Sequence, residues 1–273
     1  MCRNYAAFEH DTLLIIVSLC YNIFKWVFPR KNEFTKSEDI KLKSIGIIGA
    51  MAIEVAQLKE MMADAKITTK AGMEFYTGTI NGKDVVVVQS GVGKVNAAMC
   101  AQILVDVFDV EAIINTGVAG SLRNEINIGD IVISRKAVEH DMDVTPLGYK
   151  KGFIPGMKKS KFEASEGLVL LAVRTCQEVN PDISVYTGTV ATGDQFVAGK
   201  EMKDAIIETF DASCTEMEGA AIAHAAYLND VPFVIIRAIS DKADNSATMD
   251  YPEFEKQAVE HTVRLLDGML KQL

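Results

Sequence analysis

The sequence predicts an α/β fold built on a mixed β-sheet, and three observations carry that prediction. From Ser44 onward short β-rich runs alternate with runs of helical period, the order expected when helices pack on the faces of a sheet. Glycine-rich turns at Gly49-Ala50, Gly91-Val92-Gly93-Lys94 and Gly117-Val118-Ala119-Gly120 follow several of the β-rich runs. Such turns let backbone approach a ligand at the C-terminal ends of strands. An Asn81-Gly82 pair joins two neighbouring β-rich runs, which asks for an antiparallel hairpin and so makes the sheet mixed.

Taken in order, 44–50 (SIGIIGA) reads as a buried first strand and 52–63 as the helix after it. The hairpin arms are 76–80 and 84–89, since Asn-Gly tolerates the positive φ angles of a type I′ turn. A helix over 94–107, strands at 111–115 and 131–138, and a loop punctuated by Pro and Gly over 141–159 come next. A helix over 163–179, a strand at 185–191, a helix over 200–210 and a short strand into Glu216 follow. The chain closes with a helix over 219–228, a strand at 233–239 and a helix over 252–273. No repeat or low-complexity linker interrupts 44–273, which is expected to form one domain.

Composition narrows the function. With 37 acidic against 28 basic residues, a net charge of −9 and no basic stretch in 44–273, nucleic acid is excluded as a partner. The five cysteines (Cys2, Cys20, Cys100, Cys176, Cys214) form no C-x-x-C pair and have no histidine near in sequence. No metal site or disulfide framework is therefore expected, and a reduced, intracellular compartment fits best.

Residues 1–43 read differently. Residues 12–28 (TLLIIVSLCYNIFKWVF) are a nearly continuous apolar run, at the lower limit for crossing a bilayer as a helix. Acidic Glu9 and Asp11 before it, and the lack of a small-residue cleavage site after it, disfavour a signal peptide. The favoured reading is an upstream extension, as from a start codon placed too early, forming a loose or surface-packed helix. The alternative is a membrane anchor. In that case Lys25, Arg30, Lys31, Lys36, Lys41 and Lys43 outnumber Arg3 and keep the main domain at the cytoplasmic face.

Four acids stand where predicted strands end. Glu54 lies just past the first strand, Glu216 and Glu218 flank Met217, and Asp241 follows Ser240. Carboxylates at such points border the ligand crevice of an α/β sheet. Two carboxyls in different environments are what hydrolysis of a glycosidic bond needs, one to protonate the leaving group and one to activate water. Taken alone, each acid reads first as a helix cap or a surface position.

Together, 44–51 (SIGIIGAM) with Glu54, 90–94 (SGVGK), 114–117 (INTG), His140-Asp141 with Asp143-Val144-Thr145, Gly193-Asp194 with Phe196, Glu216-Met217-Glu218 and 237–241 (RAISD) resemble the 5′-methylthioadenosine/S-adenosylhomocysteine nucleosidase family. The resemblance runs in order from about Ser44 to the C-terminus and leaves the first 43 residues without a counterpart. It implies a three-layer αβα sandwich of the nucleoside phosphorylase type. It also implies hydrolysis of the N-glycosidic bond of methylthioadenosine and S-adenosylhomocysteine in methionine salvage, by a cytoplasmic homodimer without cofactor or metal.

Residue by residue, the resemblance implies that Asp241 is the general acid toward adenine N7, with Ser240 beside it, and that Glu54 is the base for water, with Arg237 to orient it. Glu218 would accept from the ribose hydroxyls, with Glu216 beside it in the substrate-binding set; Phe196 would stack on adenine, and the Val197 backbone would read its edge. Met51, Val92 and Met217 would line the 5′-alkylthio pocket, with Val144, Leu147, Tyr149 and Pro155 entering from a partner subunit. The chain departs from the family pattern at Val118, where some relatives carry serine near the substrate, and at Ala52 and Ile53, where relatives often carry glutamates. Glu54 is thereby left as the only acid of its helix start. Alternatives on the same framework are a nucleoside phosphorylase, a futalosine-type nucleosidase and a non-catalytic nucleoside-binding protein.

Overall fold

The computed structural model describes residues 42–273. The apolar run at 12–28, and with it the choice between extension and anchor, lies outside the described residues. Among the described residues no helix is long and apolar enough to cross a membrane.

Among the described residues ten strands form one mixed sheet: β1 (Ser44–Gly49), β2 (Ala63–Lys70), β3 (Met73–Ile80), β4 (Lys83–Gln89), β5 (Ala112–Ser121), β6 (Ile131–Glu139), β7 (Lys161–Glu163), β8 (Val185–Thr192), β9 (Ala212–Glu216) and β10 (Phe233–Asp241). Nine of them run in the order β10-β6-β8-β9-β5-β1-β4-β3-β2, with β7 paired to β6 off this path, and β10 pairs with β5 as well. Strands β5, β10, β6, β8 and β9 thus curl into a closed circuit, from which β1, β4, β3 and β2 continue as an open wing. Parallel pairing of β1 with β4 and β5, and of β10 with β5, sits beside the antiparallel β2–β3–β4 meander. The meander contains the expected hairpin, with Asn81 at φ 52° and Gly82 at φ 75°.

Among the described residues six α-helices cover the sheet: α1 (Ala52–Glu60), α2 (Lys94–Phe108), α3 (Glu166–Val179), α4 (Lys200–Phe210), α5 (Gly219–Leu228) and α6 (Ala247–Leu270). Alternation along the central strands splits the core in two, because successive side chains point to opposite faces. Ile45, Ile47, Val85, Val87 and Ile114 pack against α1, α3 and α6, whereas Ile48, Val86, Val88 and Ile113 pack against α2 and α5. Helix α4 closes a third, smaller cluster with Val138, Ala191 and Val197. This is the layered α/β arrangement the sequence predicts, with two helix layers around a mixed sheet.

Several boundaries differ from expectation. Strand β2 has almost every side chain in solvent, so no apolar alternation announces it, and α1 ends at Glu60 rather than at 63. The short β7 precedes α3, which starts at Glu166 rather than 163. Gly117 to Gly120 is not a turn: β5 runs through it to Ser121. Bare backbone is needed there, because the carboxylate of Glu54 and the guanidinium of Arg237 occupy the space a Cβ on Gly117 would fill, and Asp241 and Ala243 do the same at Gly120. Helix α6 begins at Ala247 and holds Pro252 inside it. A turn closed by Ala247 N–H donating to the Asp244 carbonyl at 3.0 Å starts the helix ahead of the proline.

Candidate active site

The four acids singled out from the sequence converge at the C-terminal ends of β1, β9 and β10. Glu54 is the third residue of α1 and the only acid in its first turn. Its Oε2 accepts the N–H of Ala50 at 2.7 Å and of Met51 at 2.9 Å, while Oε1 accepts the N–H of Val118 at 3.1 Å. A carboxylate has about four lone-pair positions, so these bonds leave Oε1 one acceptor position. Burial raises the pKa of Glu54, and the Arg237 charge and the three N–H donors hold that rise back.

Arg237 is 1 % exposed and serves as the cation among these acids. Its Nη2 donates to Asn115 Oδ1 at 2.6 Å and to Glu216 Oε2, and lies 3.7 Å from Glu218 Oε2. Burial works against its charge, yet Glu216, Glu218 and Glu54 together raise its pKa above the ordinary arginine value. Asn115 is in turn held by donation to the Ile48 carbonyl at 2.9 Å.

Glu216 is held by four protein donors. It accepts from Thr192 Oγ1, from Arg237, from the Glu218 N–H at 3.1 Å and from the Gly219 N–H at 2.7 Å. It therefore ties Arg237 to the first turn of α5, where a negative charge also complements the helix dipole. Glu218 is less committed: Oε1 accepts the Gly93 N–H at 2.9 Å, and Oε2 keeps free acceptor positions. Burial first, then the neighbouring Glu216, push its pKa up to about 7.

Asp241 ends β10 and is 3 % exposed. Its Oδ1 accepts the Ala243 N–H at 2.8 Å and its Oδ2 accepts the Ser240 hydroxyl at 2.9 Å. Burial raises its pKa, and those two donors limit the rise. A register shift between β10 and β5 falls at Ile239/Asp241. Such an irregularity re-aims a side chain, and here it comes at the residue with the acid.

The apolar residues separate into two groups. Met51 caps α1 and its Sδ accepts the Tyr251 hydroxyl at 3.1 Å. Phe196 is half exposed and stands edge-on to the Tyr251 ring, 5.9 Å between centroids. Val118 and Val197 are buried, Met217 is partly exposed, and Val92 is 48 % exposed. Val144, Leu147, Tyr149 and Pro155 lie instead in the β6–β7 loop, where Leu147 is 73 % exposed and Tyr149 stacks on Phe153.

Sequence reasoning missed Asn115, Thr192 and Tyr251. Asn115 left a signal, a lone amide in the otherwise apolar strand 112–115; Tyr251, on a helix turn set ahead of a proline, left none. Among the described residues no group of His, Cys, Asp and Glu is arranged to hold a metal ion.

Residues 44–271 match the family model described as "Phosphorylase superfamily". A 5′-methylthioadenosine/S-adenosylhomocysteine nucleosidase from Anoxybacillus flavithermus is 42 % identical over 231 residues, 84 % of this chain and 99 % of that one. The solved structure of the Neisseria meningitidis enzyme of the same name, in complex with methylthio-immucillin-A, superposes with a TM-score of 0.82 at 36 % identity, covering 85 % of this chain and 100 % of that chain. Futalosine hydrolase of Helicobacter pylori superposes with a TM-score of 0.81 at 33 % identity, covering 85 % and 98 %. With its buried acids at the ends of β1, β9 and β10, the chain belongs to the 5′-methylthioadenosine/S-adenosylhomocysteine nucleosidase family within the phosphorylase superfamily.

Proposed function

We propose that this chain hydrolyses the N-glycosidic bond of 5′-methylthioadenosine and S-adenosylhomocysteine, with Asp241 as general acid and Glu54 as general base. The observation that carries hydrolysis over phosphorolysis is the occupant of the turn after β1. Backbone N–H groups at a helix N-terminus make an anion site, and here the N–H groups of Ala50 and Met51 are taken by the chain's own Glu54 carboxylate. A phosphate dianion would have to displace it and face its charge, whereas a water molecule can donate to the free position on Oε1.

Asp241 delivers its proton to adenine N7 so that the base leaves neutral. A carboxyl with a pKa raised by burial is suited to that task, because it still holds a proton where an exposed aspartate has lost it. Glu218 accepts from the ribose diol and lies close to the positive charge that develops at C1′. Phe196 stacks on the adenine and the Val197 backbone reads its edge. Met51, Val92 and Met217 wall the 5′-thioether group, with Tyr251 beside Met51. Arg237 helps orient the water, and Glu216, accepting from Arg237 and from the N–H groups of Glu218 and Gly219, fixes Arg237 and the start of α5 beside the nucleoside.

The working unit is a homodimer in this reading. Val95 and Met99 on α2 and Val92 just ahead of it are exposed apolar residues, and Leu147 and Tyr149 are exposed on the loop assigned to a partner's pocket. Asp241→Asn and Glu54→Gln test the two roles. Each is expected to lower kcat for adenine release by about 10²- to 10⁴-fold, the usual weight of a general acid or base, and unchanged turnover in either variant would remove its assignment.

A further inference from the structure

One charged cluster beside the site has no task in this mechanism. Lys94, the first residue of α2, donates through Nζ to Asp141 Oδ1 at 2.7 Å and to Glu139 Oε2 at 3.2 Å, at the end of β6. The other oxygen of Asp141 accepts the backbone N–H of Asp194 at 2.9 Å. The Asp194 side chain then accepts the backbone N–H of Lys94 at 2.8 Å. The three residues close a ring of hydrogen bonds between three segments distant in sequence. Glu139 extends the ring to α5, with Oε1 3.0 Å from His224 Nδ1.

Two parts of the substrate site are fastened to this ring. Gly93, at φ 96°, precedes Lys94 and gives its N–H to Glu218. A Cβ there would meet the Asp194 carboxylate at 3.1 Å, so ring and turn are packed together. On the other side, Asp194 begins the loop that carries Phe196 and Val197. The side chains of Lys94 and Asp141 are each 19 % exposed, which shields them from much of the solvent screening that weakens surface ion pairs. Burial opposes both charges, yet the contacts between them hold the lysine above, and the aspartate below, their ordinary pKa values.

We propose that Lys94 is a positioning residue: through Asp141 and Asp194 it sets the Phe196–Val197 loop against the Gly93–Glu218 turn, so that base and sugar are gripped in one geometry. This rests on the assignment of Phe196 and Val197 to adenine and Glu218 to the ribose.

The test uses the full chain with Lys94→Met, Lys94→Arg, Asp141→Asn and the Lys94→Met/Asp141→Asn double variant. Measurements are kcat and KM for methylthioadenosine, the Kd of free adenine by calorimetry, and thermal unfolding. Lys94→Met is expected to raise both KM and the adenine Kd about tenfold while kcat falls less than about threefold, the split that marks lost binding rather than lost chemistry. Lys94→Arg restores both constants, and the double variant loses less than the product of the two single losses, because the two side chains share one contact while Lys94 keeps a second to Glu139. A folded Lys94→Met variant with KM and adenine Kd unchanged would overturn the proposal, as would single effects that multiply in full in the double variant, the sign of no coupling between the two side chains. If Lys94→Met does not fold, Asp141→Asn and Lys94→Arg decide by the same constants. A wild-type chain that binds adenine but does not cleave methylthioadenosine would overturn the enzymatic reading instead, and the adenine Kd values would still judge the ring.

Discussion

At the scale of single residues, the site works by giving similar carboxylates different surroundings. Glu54 accepts three backbone N–H groups that favour its charged form, and Asp241 has one N–H and one hydroxyl. Burial lifts both, but Glu54 also has Arg237 to counter it, whereas Asp241 has Asp244 and Asp250 adding to the rise. Both carboxyls are thus lifted by burial, but at Glu54 the attractive partners draw it back toward its ionised form while at Asp241 two like charges press it further toward its protonated form, the difference in surroundings on which acid–base catalysis is built. Ser240→Ala tests this electrostatic picture. Removing a donor from the Asp241 carboxylate destabilises its charged form and raises the pKa, so the alkaline limb of kcat/KM, which marks loss of the acid's proton, is expected to move to higher pH. A limb that stays in place or moves down would exclude Asp241 as the group titrating there. The positions of the acids were legible in the sequence because each falls at or a few residues past a strand end. Their partners were less so: the donors to Glu54 are backbone groups of Ala50, Met51 and Val118, which any residue but proline could supply.

At the scale of elements, bare backbone in β5 lets the acids reach the sheet. Gly117 and Gly82 make a direct comparison. At Gly117 a Cβ would collide with Glu54 and Arg237, whereas at Gly82 nothing lies within 4 Å and only the φ of 75° resists a side chain. Gly117→Ala is expected to cost about 1–3 kcal/mol by overpacking and to lower kcat/KM by about 100-fold through misplacement of the base. Gly82→Ala should cost about 1–2 kcal/mol for its left-handed backbone and leave kcat/KM unchanged. Denaturant unfolding and steady-state kinetics on the two variants measure both quantities. Equal kinetic losses would mean that close approach at Gly117 has no part in the site. Alternation made β1, β4 and the central helices readable, and the Asn-Gly pair gave away the hairpin. The failures have one physical cause: β2 is an edge strand in solvent, and β5 past Asn115 is chosen for space rather than propensity, so neither has the period that burial imposes.

At the scale of the whole molecule, strands β1, β5, β9 and β10 come from distant parts of the chain and meet through the curled sheet, which brings Glu54, Glu216, Glu218 and Asp241 to one place. Sequence order alone does not reveal that closure, since it depends on β10 pairing with both β5 and β6. The exposed apolar residues on α2 belong to the same scale. Met99→Glu, a charge placed on α2 beside the exposed Val95, is expected to convert a dimer to monomers in sedimentation velocity and to raise KM for methylthioadenosine; a wild-type chain that sediments as a monomer would contradict the shared pocket. The central claim is that the anion position after β1 belongs to Glu54 and that water, not phosphate, attacks C1′. Adenine release from methylthioadenosine, followed with and without added inorganic phosphate, tests it most directly. Equal rates with methylthioribose as the sugar product are predicted, and dependence on phosphate with a methylthioribose 1-phosphate product would contradict it.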